Sequence, residues 1–332
     1  MHVAVIGAGS WGTTLADLLA RNGHTVRLWA REPEVVASIR DRHENTLFLP
    51  EARLDQALEV TATVAEAVAG ADLIVSAPPS HAVRPIAREV AGALGARRPL
   101  LVSVSKGLEP VTDQLLTHVL AEELPACEVV ALSGPSFARE VFERQPTALV
   151  AAALHPAAAA AAQQAFSNSR FRVYTSGDLV GVQLGGALKN VIALAAGILV
   201  GLGLGFNTQA ALITRGLAEM ARLGSAMGAD PMTFAGLAGM GDLLLTATGT
   251  LSRNRSLGIE LAQGRRLSDI LAERRSVAEG VQTARTAVDL AERHGVELPI
   301  AREVTRVLFE DKTPRQAIQD LMERTLKAEQ WR

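Results

Sequence analysis

The chain has 332 residues, enough for about two domains, and 48% of them are hydrophobic, enough for a large core. Its net charge of −2 gives no reason to expect nucleic acid or an anionic membrane as a partner. The single cysteine, Cys127, excludes an internal disulfide. No signal peptide precedes the first apolar segment, so we expect a soluble, cytoplasmic protein.

The start of the chain predicts a dinucleotide-binding turn. Residues 3–6 are an apolar run typical of a buried strand, and residues 13–22 have the apolar spacing of a helix. Between them lies a G-x-G-x-x-G pattern formed by Gly7, Gly9 and Gly12. These glycines would permit a tight turn, close approach to a pyrophosphate and packing of the helix on the strand. The alternative is a glycine-rich turn that binds nothing.

The first half of the chain alternates strands with helices. Further strands are predicted at residues 25–30, 71–77, 100–104, 129–132 and 147–153. Helices are predicted at residues 33–42, 81–94 and 112–123, and in the alanine run that follows His155 and Pro156. Apolar strands separated by helices indicate a parallel sheet covered on both faces.

Strand signals stop near Val182, which indicates a change of domain. Helices are predicted at residues 187–200, 210–227, 267–273, 281–294 and 300–309. We therefore predict an α/β protein with two domains. Residues 1–182 form a Rossmann-like doubly wound sheet that binds a dinucleotide, and residues 183–332 form an all-helical substrate domain. Ligands would bind in the cleft between them, outside the carboxyl ends of the strands.

The stretch from residue 191 to 206 is almost wholly apolar. A membrane-spanning helix needs about 20 predominantly apolar residues. Glycines at positions 197, 201, 203 and 205 interrupt this run. We therefore predict a helix buried between the two halves of the protein, without membrane insertion.

Three predicted strands end in segments suited to an anionic ligand. Residues 77–81, which include His81, follow one strand, and Lys106 lies between Ser105 and Gly107 after the next. Residues 133–138 follow a third strand with a Gly-Pro-Ser turn that offers free backbone N–H groups. Taken alone, Lys106 is more typical of a solvated loop, and His81 is more typical of a helix start satisfied by its neighbours.

A lysine at position 189 enters the apolar helix predicted in the second half. Lysine has a reference pKa of about 10.4 and acts as a base only where its surroundings lower that value towards 7 or 8. Burial and a neighbouring cation would both do so, and Lys106 is a candidate for that cation. The alternative is a helix-end lysine in solvent.

A second polar group lies further along the helical half. Residues 239–246 begin with a glycine-rich turn, and Ser252, Arg253 and Asn254 follow. The three side chains offer an anion several donors, and arginine is well suited to phosphate. The alternative is a polar loop between helices. The sequence contains no cluster of His, Cys, Asp or Glu at metal-ligand spacing, and we predict no metal site.

These motifs, in this order, resemble the bacterial NAD(P)-dependent glycerol-3-phosphate dehydrogenases over nearly the whole chain. The resemblance extends to Lys189-Asn190-Val191, Gly241-Asp242-Leu243 and Ala278-Glu279-Gly280. One departure is Met240, where the family more often has leucine. The resemblance implies interconversion of sn-glycerol 3-phosphate and dihydroxyacetone phosphate by hydride transfer with NAD or NADP. It also implies a homodimer and a role in supplying glycerol 3-phosphate for phospholipids.

The resemblance assigns roles to individual residues. Lys189 would be the general base, with Asn190 and Thr246 as weaker candidates for the group around it. Substrate contacts would come from Lys106, Gly134, Ser136, Lys189, Asp242, Ser252, Arg253 and Asn254. Cofactor contacts would come from Gly7, Gly9, Ser10, Trp11, Gly12, Arg31, Lys106, Ala138, Arg253, Val277 and Glu279.

The sequence is ambiguous about the choice between NAD and NADP. Glu32 lies about 20 residues after the glycine motif, where an acid binds the ribose of NAD. Arg31 precedes it and suits the 2′-phosphate of NADP. Alternation at a strand end would let only one of them face the ribose, and we favour Arg31. Two other functions remain open, a dehydrogenase of a sugar acid or hydroxy acid and a dinucleotide sensor without turnover.

Overall fold

The computed structural model describes residues 1–273, 278–326 and 328–329. The strands are β1 (His2–Ile6), β2 (Thr25–Trp29), β3 (Glu44–Asn45), β4 (Leu49–Arg53), β5 (Glu59–Thr61), β6 (Leu73–Ser76), β7 (Leu100–Ser103), β8 (Val129–Ser133), β9 (Thr147–Ala152) and β10 (Phe171–Ser176). Eight of them form one sheet in the order β10-β9-β8-β7-β6-β1-β2-β5, and β3 and β4 form a separate antiparallel hairpin.

Helices connect the strands and make up the rest of the described chain. In the first half they are α1 (Ser10–Arg21), α2 (Pro33–Arg42), α3 (Val64–Val68), α4 (Val83–Leu94), α5 (Leu116–Glu123), α6 (Ala138–Phe142) and α7 (Pro156–Phe166). In the second half they are α8 (Leu179–Gly201), α9 (Phe206–Ala226), α10 (Pro231–Phe234), α11 (Asp242–Thr248), α12 (Arg253–Ala262), α13 (Leu267–Glu273), α14 (Glu279–Arg293), α15 (Pro299–Phe309) and α16 (Pro314–Met322).

The sheet is covered on both faces, as predicted. Along β1, Val3 and Val5 belong to one apolar cluster, and Ala4 and Ile6 belong to another on the opposite face. Within the described residues, the chain after β10 forms helices and no further strand. The predicted fold class, a Rossmann-like sheet followed by a helical part, is therefore confirmed.

Three details of the sheet differ from the prediction. Strand β9 runs antiparallel to β8, so the sheet is not parallel throughout. The edge strand β5, which pairs with β2, was not predicted. Neither was the strand at the other edge, β10, which pairs with β9. Its residues alternate between buried and exposed, as in a strand with one covered face, and a search for continuous apolar runs misses this pattern.

The central helix of the second half is α8. It begins at Leu179, where Asp178 caps it by accepting a hydrogen bond from the Gly181 N–H at 2.8 Å, rather than at residue 187. The sheet has ended by Ser176, so the predicted boundary at residue 182 falls inside this helix. The division into residues 1–182 and 183–332 stays a prediction.

Gly197 lies inside α8 and does not end it, consistent with the helix predicted at residues 187–200. A Cβ built on Gly197 would lie 2.0 Å from the carbonyl oxygen of Arg255 in α12. In return, a Cβ on Gly258 of α12 would lie 2.2 Å from the Leu194 carbonyl oxygen. The glycines therefore let two helix backbones touch. By length and composition α8 could cross a membrane, but 89% of its apolar window is buried inside the protein, which fits the predicted interior helix.

We expect Gly197→Ala to lower the free energy of unfolding by about 1–3 kcal/mol, because the added methyl group must push α8 away from α12. The matched control is Gly92→Ala in α4, where an added Cβ meets nothing within 4 Å. This control should stabilise the protein by about 0.5–1 kcal/mol. Urea unfolding of both variants measures the difference, and equal stabilities would contradict the close helix contact.

Candidate functional site

The turn between β1 and α1 has the geometry that the glycine pattern predicts. Gly7 has a φ of 116°, a conformation that favours glycine. A Cβ on Gly12 would lie 1.9 Å from the Gly7 carbonyl oxygen, so only glycine lets α1 pack this closely on the turn. A Cβ on Gly9 would meet nothing within 4 Å, which leaves this part of the backbone open to a ligand.

A cleft of about 680 Å³ runs from this turn to α8 and α12. It lies outside the carboxyl ends of β1, β2, β6 and β7, where open α/β sheets bind ligands. Of the predicted site residues, it is lined by Gly7, Gly9, Ser10, Trp11, Gly12, Arg31, Lys106, Ser136, Ala138, Lys189, Ser252, Arg253, Asn254 and Glu279. Val277 lies outside the described residues.

Two predicted residues, Gly134 and Asp242, are not part of the cleft lining and lie directly behind it. Asp242 is fully buried, and its two carboxylate oxygens each accept a hydrogen bond from a lysine. Lys106 Nζ donates to Oδ2 at 2.6 Å and to the Gly134 carbonyl at 3.0 Å. Lys189 Nζ donates to Oδ1 and to the Thr246 hydroxyl, the latter at 2.7 Å. One carboxylate therefore joins both predicted lysines.

Local packing explains how these groups meet. Lys189 lies on α8, one helical turn after Gly185. A Cβ on Gly185 would lie 2.3 Å from the Ala238 carbonyl oxygen, in the π-helical turn Leu237–Gly241. Asp242 follows this turn as the first residue of α11. Because Gly185 lets the turn rest on α8, the carboxylate of Asp242 reaches the amine one turn along.

Burial lowers the pKa of Lys189 to about 7, although Asp242 opposes this effect. The positive charge of Lys106 lowers it further. Only 6% of Lys189 is exposed, so it is not the solvated helix-end lysine that the sequence also allowed. A lysine with a pKa near 7 can both accept and release a proton at neutral pH.

The Ser252, Arg253 and Asn254 group begins α12 rather than forming a loop. The Ser252 hydroxyl caps the helix by accepting from the Arg255 N–H at 3.2 Å. Asn254 donates to the Asn190 side chain at 2.9 Å and accepts from the Gly280 N–H at 3.1 Å. Arg253 is exposed on the cleft wall. The group thus combines a helix N-terminus with one exposed guanidinium.

Arg31 and Glu32 both line the cleft and bind each other. The Arg31 guanidinium donates to Glu32 Oε1 from Nη2 at 2.7 Å and from Nε at 3.0 Å. The argument from strand alternation does not apply to this pair, because β2 ends at Trp29 and both residues line the cleft. Arg31 is the more exposed partner, with 76% of its side chain accessible against 23% for Glu32.

Two family models match the chain, the N-terminus of NAD-dependent glycerol-3-phosphate dehydrogenase over residues 2–159 and its C-terminus over residues 178–319. The chain belongs to the NAD-dependent glycerol-3-phosphate dehydrogenase family. A glycerol-3-phosphate dehydrogenase (NAD(P)+) of Geobacter sulfurreducens is 57% identical over 336 residues, which cover 99% of each chain.

Solved structures agree with this membership. The crystal structure of glycerol-3-phosphate dehydrogenase from Coxiella burnetii matches with a TM-score of 0.93 and 38% identity, covering 97% of this chain and 99% of that one. The Saccharomyces cerevisiae enzyme matches with a TM-score of 0.83 and 28% identity, over 98% of this chain and 99% of that one. The predicted family, enzyme class and NAD or NADP cofactor are thereby confirmed.

The residues at the glycine turn fit a dinucleotide. The N-cap residue of α1 is Gly9, which has no side chain to cap the helix, so the first N–H groups of α1 suit a ligand. The indole Nε1 of Trp11 is buried and has no hydrogen-bond partner in the part of the chain that the structure describes. Further along, Glu279 accepts from the Ser80 N–H at 3.1 Å and from its hydroxyl at 2.6 Å, which links α14 to the end of β6.

Sequence reasoning missed one wall of the cleft. Leu47 and Phe48, at the tip of the hairpin formed by β3 and β4, line it together with Arg139 of α6. An apolar Leu-Phe-Leu run at 47–49 was visible in the sequence, but β3 has only two residues and no periodicity to reveal a hairpin.

Proposed function

We propose that the chain interconverts sn-glycerol 3-phosphate and dihydroxyacetone phosphate, with Lys189 as the group that moves the proton. The observation that carries the proposal is a buried lysine, held by Asp242, at the inner end of a cleft that begins with a dinucleotide-binding turn. Family membership supports the reaction, and the position and pKa of Lys189 support its role.

The cofactor would lie along the cleft. The turn from Gly7 to Gly12 would hold the pyrophosphate, and Arg31 would reach the adenosine ribose. Lys106, Ala138, Arg253 and Glu279 would surround the nicotinamide end. Bound there, the nicotinamide exchanges a hydride with C2 of the substrate. The protein supplies position and charge for this step.

Lys189 would handle the proton of the C2 oxygen. During oxidation its neutral amine accepts the hydroxyl proton, and during reduction its ammonium returns it and stabilises the developing alkoxide. A pKa near 7 keeps both forms populated in the cell. Asp242 holds the amine at a fixed point, and Lys106 on the same carboxylate would orient the substrate oxygen.

The phosphate end of the substrate would meet the start of α12. The positive end of this helix and the Arg253 guanidinium are both suited to a phosphate. Ser252 and Asn254 are already engaged in hydrogen bonds, so they support this binding mainly by fixing the helix start. Ser136 would contact the substrate after β8, and Gly134, behind the cleft lining, would act through its carbonyl, which accepts from Lys106.

In the cell the reaction would run mostly as reduction and supply glycerol 3-phosphate for phospholipids. The usual role of the family supports this direction. We further propose a soluble, cytoplasmic homodimer without membrane insertion. The burial of the apolar window of α8 supports the absence of an inserted segment.

We expect Lys189→Met to lower kcat by about 10²–10⁴ while NADPH still binds, because the variant loses the amine and keeps the side-chain length. In the unmodified enzyme, kcat for oxidation should rise as pH increases through about 7, since the base must be neutral. The kcat for reduction should fall over the same range, since the acid must be protonated. Neither of these pH dependences of kcat should remain in Lys189→Met.

Lys312→Met is the matched control, because Lys312 pairs with Glu303 and Asp320 and does not line the cleft. It should leave turnover within about twofold of the unmodified enzyme. Near-normal turnover in Lys189→Met would move the proton transfer to another group, with Lys106 the next candidate.

Removal of the Arg253 guanidinium should weaken recognition of the substrate phosphate. The unmodified enzyme should use dihydroxyacetone phosphate far better than dihydroxyacetone. Arg253→Ala should lower the ratio of kcat/KM for the first substrate to kcat/KM for the second by about tenfold or more. Arg265→Ala, at a cation that does not line the cleft, should leave the ratio unchanged. Equal kcat/KM for both substrates in the unmodified enzyme would exclude phosphate recognition.

The cofactor preference should depend on Arg31. We expect the enzyme to accept NADPH at least as well as NADH, and Arg31→Ala to raise KM for NADPH by about tenfold with little change for NADH. The companion variant Glu32→Gln removes the partner carboxylate. If Glu32→Gln instead raises KM for NADH, or Arg31→Ala affects both cofactors equally, Glu32 is the ribose contact.

A further inference from the structure

The side chain of Asn45 joins the two elements that border the outer end of the cleft. Asn45 is fully buried at the end of β3. Its Nδ2 donates to the Ala8 carbonyl at 2.8 Å and to the Thr13 hydroxyl at 2.8 Å. Its Oδ1 accepts from the Phe48 N–H at 3.0 Å. The amide thus connects the glycine turn to the tip of the hairpin.

The chemistry of its partners requires an amide at this position. The Ala8 carbonyl can only accept, so an NH₂ group must face it, and the Phe48 N–H can only donate, so an oxygen must face that. A carboxylate of the same shape would place a charged oxygen against the Ala8 carbonyl. Aspartate has nearly the same volume as asparagine, but its carboxylate oxygen would repel the Ala8 carbonyl instead of donating a hydrogen bond to it.

The hairpin is also held at its other side. The Arg139 guanidinium, from α6, donates to the Pro50 carbonyl just after the tip. Leu47 and Phe48 at the tip are partly buried and line the cleft opposite the glycine turn. With both sides held, the distance between tip and turn depends on the bonds made by Asn45.

We propose that Asn45 is a positioning residue for the dinucleotide. It fixes the Ala8 carbonyl, and with it the turn that receives the pyrophosphate, at a set spacing from the apolar tip of the hairpin. The inference rests on the family's NAD or NADP cofactor and on no role assigned to Lys189 or Arg253. It therefore fails or holds independently of the proposed chemistry.

Asn45→Asp tests the proposal through cofactor binding in the absence of substrate. Titration of NADPH fluorescence should give a Kd at least tenfold higher than that of the unmodified protein. At saturating NADPH, kcat and KM for dihydroxyacetone phosphate should stay within about twofold. A general structural defect would instead change all three quantities together, and that result would overturn the proposal.

Ser38→Ala is the control within the same region. The Ser38 hydroxyl donates to the Glu44 carbonyl at 2.6 Å and lies 3.1 Å from the Thr46 hydroxyl, so its loss loosens the hairpin without touching the glycine turn. NADPH affinity should stay within about twofold. An equal loss of affinity in Ser38→Ala and Asn45→Asp would show that any damage to the hairpin suffices, and would overturn a specific role for Asn45.

Thermal unfolding with and without saturating NADPH adds a readout besides activity. A positioning role predicts a smaller NADPH-dependent rise in Tm for Asn45→Asp. If that variant does not fold, Thr13→Val decides, because it removes the hydroxyl that accepts from Asn45 and also donates to the Ala8 carbonyl at 3.2 Å. Its Kd for NADPH should rise at least threefold, and an unchanged Kd would overturn the proposal.

Discussion

The arrangement of the active cleft depends on one fully buried carboxylate shared by two lysine amines. The Asp242 carboxylate is approached by Lys106 from the loop after β7 and by Lys189 from α8. A buried charge is costly unless it is paired and hydrogen-bonded, so these three segments must meet for the protein to fold. The same arrangement leaves Lys189 with a pKa near 7, because burial outweighs the attraction of the shared carboxylate. The contact that stabilises the fold here is therefore also the one that we propose holds the amine for proton transfer.

Close backbone packing brings the partners of this contact together. Gly185 lets the π-helical turn rest on α8, and Gly197 lets α12 rest on the same helix a few turns later. The first contact positions Asp242, and the second positions the start of α12 with Arg253. Side chains larger than hydrogen at either glycine would separate the helices and move a charged group away from the cleft. The long apolar helix α8 thus sets the positions of Lys189, Asp242 and Arg253 relative to one another.

The cofactor end of the cleft is built differently. There the backbone of the glycine turn is held from behind by the Asn45 amide and the Thr13 hydroxyl, and the apolar hairpin tip forms the facing wall. Arg31 and Glu32 close this end as an exposed ion pair, which a ligand phosphate can rearrange at small cost because exposed pairs contribute little stability. The inner end is therefore buried and hydrogen-bonded, whereas the outer end keeps an exposed ion pair.

Local pattern by itself determined the glycine turn, the first strands and helices, and the change to helices after the sheet, since each depends on neighbours in the chain. The antiparallel β9, the edge strand β10 and the hairpin at 44–53 were decided only by the tertiary structure, because short strands acquire direction and partners from distant segments. The same holds for the site. The sequence marked Lys106, Lys189 and Asp242 as candidates, but only the fold joined them through one carboxylate, and only burial by distant helices lowered the pKa of Lys189. Asn45 carried no signal in the sequence, because a buried amide is recognised by the partners it meets across 32 and 37 positions of the chain.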